Sequence, residues 1–173
     1  MSKENALTDL ESGATEALIA ASKDFVEFFE EQRKHYGHHC LGGLRLVSRY
    51  SHRVFRYLGR GNLVEAQVEF SYCQKQYDEL LEHLEIIPGL LAMEIKNDAG
   101  QELCEAVLGL RFYPALTGKM DINDVVLPTC DELKITPQAW LGGVADFSSE
   151  LSKLAEVIHG RQIRYGKLAM SAS

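Results

Sequence analysis

Several features that define membrane, secreted or disulfide-bonded proteins are missing from this chain of 173 residues. No run of roughly eighteen apolar residues occurs, so we expect no membrane-spanning helix. The N-terminal residues Met-Ser-Lys-Glu-Asn lack the basic and then apolar pattern of a secretory signal. The cysteines show no paired spacing, so we expect reduced thiols that fill small core positions, at Cys40, Cys73, Cys104 and Cys130. These absences predict a cytoplasmic protein, with the nucleus as a further location if the source is eukaryotic.

Signals for β-strands are also scarce. No stretch alternates cleanly between apolar and polar residues, and no Asn-Gly or Asp-Gly hairpin turn is present. Repeats and low-complexity linkers are missing as well. Apolar residues recur instead at steps of three and four, which is typical of amphipathic helices. We therefore predict an all-α fold: one domain over residues 1–173, built as a bundle of about six or seven helices.

The apolar spacing predicts where the helices lie. They are expected over Thr8 to Lys34, Leu44 to Leu58, Leu63 to Leu84, Leu90 to Lys96, Gln101 to Tyr113, and from Thr136-Pro137 through His159. Between and within them we expect a turn at Gly37, Gly42 and Gly43, an end or a distortion at Asn97 to Gly100, a break near Pro114, and a short helix after Asp121. In the third helix the residues predicted to point inward are Val64, Val68, Tyr72, Leu80, Leu81 and Leu84.

Basic residues are concentrated in one segment of an otherwise acidic chain. The formal net charge is −7, which argues against a polyanionic partner unless the cations are clustered. No acidic residue occurs from Gln32 to Val64, and five arginines there step by four, four, three and four along one helix face: Arg45, Arg49, Arg53, Arg56 and Arg60. We call these five the arginine stripe. Arginine forks suit phosphate oxygens, so the stripe predicts nucleic-acid binding. The alternative is pairing with acids of neighbouring helices, such as Asp78, Glu79 and Glu82.

Two pairs of carboxylates stand out in apolar helices. Glu102 and Glu105 are three residues apart, and Asp146 and Glu150 are four apart, so each pair shares a helix face. Carboxylates in such surroundings are costly unless they are paired or bind a metal. Four of them converging would suit Mg²⁺ or Mn²⁺, which can activate water at a phosphodiester. The alternative is an ordinary solvated helix face.

A zinc site is a second possible metal centre. Three histidines and a cysteine lie close together, at His35, His38, His39 and Cys40. However, Gly37 interrupts their spacing, and no second cluster of ligands accompanies them. Histidines facing solvent or phosphate are therefore favoured over zinc ligands.

Four segments resemble the translin family of proteins. Gly143-Val144-Ala145-Asp146-Phe147-Ser148-Ser149-Glu150-Leu151 and Gln101-Glu102-Leu103-Cys104-Glu105-Ala106-Val107 are similar to two of its motifs, and Tyr50-Ser51-His52-Arg53 and Gly118 to Asn123 to two looser ones. The resemblance covers most of Ala17 to Val157. Asp146, which translin itself lacks, indicates the nuclease-competent, translin-associated branch. His52 stands where the family has a lysine.

The resemblance implies a specific function. It makes Glu102, Glu105, Asp146 and Glu150 both catalytic residues and magnesium ligands of an endoribonuclease that cuts single-stranded RNA, with single-stranded DNA as another possible ligand. It also implies a homo-oligomer, an octamer in the family, or a hetero-oligomer with a translin paralogue. Because the family continues for one or more helices beyond the position of His159, we expect a short or missing C-terminal helix. Two alternatives stay open: a non-catalytic protein that binds single-stranded RNA or DNA, and a structural partner subunit.

Overall fold

The computed structural model describes residues 20–24, 26–86 and 89–171. The chain divides into two compact units, Met1–His38 and His39–Ser173. In the first unit, residues 20–24 and 26–35 are helical, and a π-helical turn over Tyr36–Cys40 follows. The helix predicted from Thr8 to Lys34 lies partly outside the described residues. The single domain predicted over residues 1–173 stays a prediction.

The second unit is built from helices. We number them α1 (Leu41–Gly59), α2 (Leu63–Leu84), α3 (Gly89–Leu116), α4 (Cys130–Leu133) and α5 (Pro137–Ser171), with a 3₁₀ turn at Ile122–Asp124. α1 packs against α2 and α3, and α3 packs against α5. The described residues contain no β-strand, which confirms the all-α prediction. None of their helices is long and apolar enough to cross a membrane.

Local capping signals were interpreted correctly. α2 has the predicted bounds, and Thr136 caps α5 because its Oγ1 accepts a hydrogen bond from the Ala139 amide at 3.0 Å. Asp121 caps the 3₁₀ turn by accepting from the Asn123 amide at 2.8 Å. α5 continues past the predicted end at His159 to Ser171.

Two predicted interruptions were wrong. Residues 36–59 are helical throughout, so the glycines there form no turn. Residues 97–100 lie inside α3, where the buried Asn97 side chain accepts a hydrogen bond from Thr136 Oγ1 at 2.5 Å. Pro114 also lies within α3, near its end at Leu116. Both regions keep helical backbone because tertiary contacts override the weak local breaking signals.

The core runs between α1, α2, α3 and α5. It includes Val54 and Leu58 of α1, Ala66 of α2, Ala106 and Tyr113 of α3, and Leu154 and Ile158 of α5. The predicted inward face of α2 was wrong in its first half, because Val64, Val68 and Tyr72 are 68%, 42% and 50% exposed. The buried face instead carries the small residues Ala66 and Cys73, which let α2 lie close to α1. Cys40, Cys73 and Cys104 are free and buried, and Cys130 is free and partly exposed.

Candidate active site

Close packing of α3 on α5 brings the two predicted pairs of carboxylates together. α5 carries Gly142 and Gly143 where it crosses α3. A Cβ atom at Gly143 would lie 2.6 Å from Cys104 Cβ and 2.9 Å from the Gln101 carbonyl oxygen, so only glycine permits this approach. Asp146 and Glu150 follow within the next two turns of α5. The four acids therefore come from two helices that pack closely against each other.

Glu105 is at the centre of this arrangement. Its side chain is buried, with 9% exposed. The pKa of Glu105 is raised from 4.5 to about 8, mainly by burial and then by the charges of Glu102, Asp146 and Glu150, whereas Lys153 opposes this rise. The charges of Glu102, Asp146 and Glu150 thus act on Glu105, while the predicted convergence of the four acids on one metal ion stays a prediction. We call them the acid cluster.

The other three acids each have a neighbouring partner. Glu102 Oε1 accepts a hydrogen bond from Ser48 Oγ of α1 at 2.8 Å. Asp146 accepts a short hydrogen bond from Gln101 Nε2. Glu150 Oε1 lies 2.5 Å from Lys153 Nζ. These partners were missed by sequence reasoning, because Ser48 and Gln101 reach the acids from other helices.

One carboxylate oxygen in the acid cluster has no partner. Glu102 Oε2 is buried and accepts no hydrogen bond within the described residues. Such an atom costs roughly 1–3 kcal/mol, and more when charged, unless a proton or a cation satisfies it. An all-oxygen donor set with unsatisfied negative charge fits Mg²⁺ or Mn²⁺.

The acid cluster is not arranged as a finished coordination sphere. Within the part of the chain that the structure describes, no group of three or more His, Cys, Asp or Glu side chains stands in position to hold a metal ion. This applies to the predicted zinc alternative as well. There, Cys40 is buried with its Sγ 3.9 Å from the His83 carbonyl oxygen, and the His39 ring packs on the His83 ring at 4.6 Å.

The arginine stripe divides into one paired and four unpaired side chains. Arg53 Nη1 lies 3.3 Å from Glu69 Oε2 of α2, and Glu69 is buried. Arg45, Arg49, Arg56 and Arg60 are exposed and form no ion pair among the described residues. The pairing alternative is therefore realised at one arginine, through an acid that sequence reasoning did not name. Asp78 and Glu79 pair instead with Lys134 and Lys75.

The unpaired arginines border the acid cluster. A shallow groove along α1 is lined by Arg45, Ser48, Arg49, His52, Arg53 and Arg56. A pocket between α1 and α3 has Arg45 and Ser48 on one wall and Gln101 and Glu102 on the other. A second pocket, between α1 and α5, joins His52 and Arg56 to Glu150 and Lys153. Arginines that have no carboxylate partner thus line the same pockets as two acids of the acid cluster, Glu102 and Glu150.

Comparison with known proteins does not identify the chain. No protein-family model, no curated protein and no solved structure matches it. The resemblance to the translin family therefore stays a prediction.

Proposed function

We propose that this protein is a metal-dependent endoribonuclease that hydrolyses phosphodiester bonds in single-stranded RNA. The observation that carries the proposal is the acid cluster itself: a buried Glu105 whose pKa three other acids raise, and a buried, unpartnered oxygen of Glu102 in a pocket shared with the unpaired Arg45. Perturbed acids in a concave site are typical of catalytic centres, although structural networks also produce them. Here the adjacent arginines supply a reason for an anionic substrate to approach an acidic site.

The acid cluster would hold the metal. Glu102, Glu105, Asp146 and Glu150 are its candidate ligands, and a bound Mg²⁺ or Mn²⁺ supplies Lewis-acid polarisation of the phosphate and a water of lowered pKa. Ser48 orients Glu102, and Gln101 orients Asp146, through the hydrogen bonds already described. No serine, cysteine or histidine nucleophile is required.

The arginine stripe would hold the strand. Arg45, Arg49 and Arg56 line the surfaces that flank the acid cluster, so they can bind phosphates on both sides of the cut bond. Contacts of this kind fix the position of a strand without selecting its sequence. They would serve single-stranded DNA as well as RNA.

Self-association is a further part of the proposal. Val64, Val68 and Tyr72 form an exposed apolar line at steps of four along α2, which supports burial against another subunit. A homo-oligomer, an octamer on the translin resemblance, or a hetero-oligomer with a translin paralogue would cover it. Light scattering that gives only a 19.4 kDa particle at micromolar concentration would contradict self-association. Because the four cysteines are free, as in a reducing compartment, we propose a cytoplasmic location.

A second function is favoured by one observation. The partners of Glu102, Asp146 and Glu150, namely Ser48, Gln101 and Lys153, are groups of the protein itself. Acids satisfied in this way suit a protein that binds single-stranded nucleic acid without cutting it. Catalysis is what separates the two functions.

The deciding experiment incubates labelled single-stranded RNA with the protein in Mg²⁺, in Mn²⁺ or in chelator. We expect cleavage only with a divalent cation, and a loss of roughly 100-fold or more in rate per folded molecule for Asp146→Asn and Glu105→Gln. Glu69→Gln is the matched control, because Glu69 is equally buried but lies on α2. RNA that binds but stays intact under every condition would favour the non-catalytic function.

A further inference from the structure

The pocket between α1 and α5 extends beyond the acid cluster. It has a volume of about 330 Å³ and is lined by His52, Phe55, Arg56, Gly59, Glu150, Lys153, Leu154 and Val157. Glu150 is the point where the pocket meets the acid cluster. The remaining lining residues are not used by the proposed metal site.

The lining separates into an apolar floor and a rim of basic residues. Phe55, Leu154 and Val157 provide the floor; Leu154 is buried, and the Phe55 ring lies 6.3 Å from the Phe147 ring. The exposed side chains of His52, Arg56 and Lys153 provide the rim. Because two of these come from α1 and one from α5, the packing of the two helices creates the rim.

We propose that this pocket binds one nucleotide of the RNA strand, next to the cut phosphodiester. This inference rests on the proposed function, since it places a neighbouring nucleotide of the same substrate. The base would lie against Phe55, Leu154 and Val157, and its phosphate would contact His52, Arg56 and Lys153.

Both halves of the lining are needed to explain this choice of ligand. A free anion would use the basic residues of the rim but has no use for an apolar floor, whereas an apolar peptide would leave Arg56 without a partner. A nucleotide combines a flat base with a phosphate, and the volume lies at the lower end of the range for small-molecule pockets. The pocket therefore fits one nucleotide better than a longer segment.

The pocket also accounts for a preference for single strands. A base can enter only if it is unpaired and unstacked from a complementary strand. The floor is apolar and the polar groups lie at the rim, so the base is held by its face. Binding should therefore depend on the presence of a base but only weakly on which base it is.

The test measures binding of uridine 5′-monophosphate, inorganic phosphate and uridine, each by calorimetric titration without divalent cation. We expect the nucleotide to bind at least tenfold more tightly than phosphate or uridine. Val157→Trp should fill the pocket and weaken nucleotide binding at least tenfold. Ile163→Trp is the matched control, because Ile163 is 47% exposed on the same helix, compared with 48% for Val157, but does not line the pocket. Lys153→Gln should weaken binding of the nucleotide and leave binding of uridine unchanged.

The outcomes separate this inference from the proposed function. Equal binding of nucleotide and phosphate, or equal effects of Val157→Trp and Ile163→Trp in proteins with wild-type melting temperatures, would overturn the pocket assignment. Cleavage of RNA that is unaffected by Val157→Trp would also overturn it while leaving the nuclease intact. Tight, Val157-dependent nucleotide binding in a protein that cuts no RNA would support the pocket and remove the nuclease.

Discussion

Glu69 and Glu105 are buried to almost the same extent, with 7% and 9% of each exposed, but they have opposite neighbours. Glu69, between α1 and α2, faces the guanidinium of Arg53 at 3.3 Å. Glu105, on α3, has its pKa raised by three carboxylates, and Lys153 opposes them only in part. The fold alone explains a buried acid beside a cation. A buried acid among other acids needs a proton or a cation from solution to neutralise it.

The same contrast extends to the surfaces around the two glutamates. At the α1–α2 contact, the charge of Arg53 is neutralised by its ion pair with Glu69. Where α1 borders α3 and α5, Arg45, Arg49 and Arg56 have no carboxylate partner among the described residues and adjoin the acid cluster. Unpaired charges of both signs in one place suit an external cation and an external polyanion together, as a metal-dependent nuclease requires.

The largest expected effect contrasts the stability of two variants. Arg53→Gln leaves Glu69 buried beside a neutral group, so we expect a loss of about 2 kcal/mol in the free energy of unfolding; partial exposure of Arg53 keeps this below the full cost of breaking a buried pair. Glu105→Gln removes repulsion, so stability should stay equal or rise. Urea unfolding of both variants measures this. Equal losses in the two proteins would mean that Glu105 is also a structural acid.

A smaller effect concerns pH. The pKa of Glu105 is raised from 4.5 to about 8, so the folded protein holds this proton more tightly than the unfolded chain does. Its stabilising contribution is complete below about pH 4.5 and is lost as the pH rises through about 8. At about 1.4 kcal/mol per pKa unit the upper bound is about 5 kcal/mol, and solvent screening lowers it, so we expect wild type to lose on the order of 1–2 kcal/mol relative to Glu105→Gln across this range.

The pH effect has a built-in control. A divalent cation should replace the proton as the group that neutralises the acid cluster. Millimolar Mg²⁺ should therefore reduce the difference between wild type and Glu105→Gln at pH 8 but not at pH 5. Parallel stability curves for the two proteins at every pH would contradict the assignment of the raised pKa to Glu105.

The smallest effect concerns RNA affinity. Arg49→Gln removes an unpaired cation, so affinity for single-stranded RNA should fall several-fold and the salt dependence should weaken by about one unit in slope. Arg53→Gln should change both much less, because Glu69 already neutralises Arg53. Fluorescence anisotropy over a series of salt concentrations, in chelator, checks this. If Arg53→Gln proved as harmful as Arg49→Gln in folded protein, the division of the stripe would be wrong.

The sequence predicted the features that depend on neighbours along the chain. The bounds of α2 and the Thr136 cap follow from local signals. The inward face of α2 does not follow from local signals. Val64, Val68 and Tyr72 are larger than the residues Ala66 and Cys73 that pack against α1. The continuity of α3 through Asn97 depends on Thr136, which is distant along the chain.

In the candidate site, too, the sequence predicts local features but not contacts between helices. Helical spacing predicts which acids share a face, and the charges of the other three acids of the cluster do act on Glu105. The closeness of α3 and α5 at Gly143 and the hydrogen bonds from Ser48 and Gln101 are tertiary features without a local signal. Pairing of Arg53 with Glu69 likewise requires knowing which face of α2 meets α1.

Direct titration with Mn²⁺, followed by the electron paramagnetic resonance signal of the free ion, examines the acid cluster without depending on RNA or on cleavage. Wild type and Glu69→Gln should both bind the ion, whereas Asp146→Asn and Glu105→Gln should lose that binding while remaining folded. Identical binding by all four proteins, or no binding by wild type, would contradict a metal site between α3 and α5.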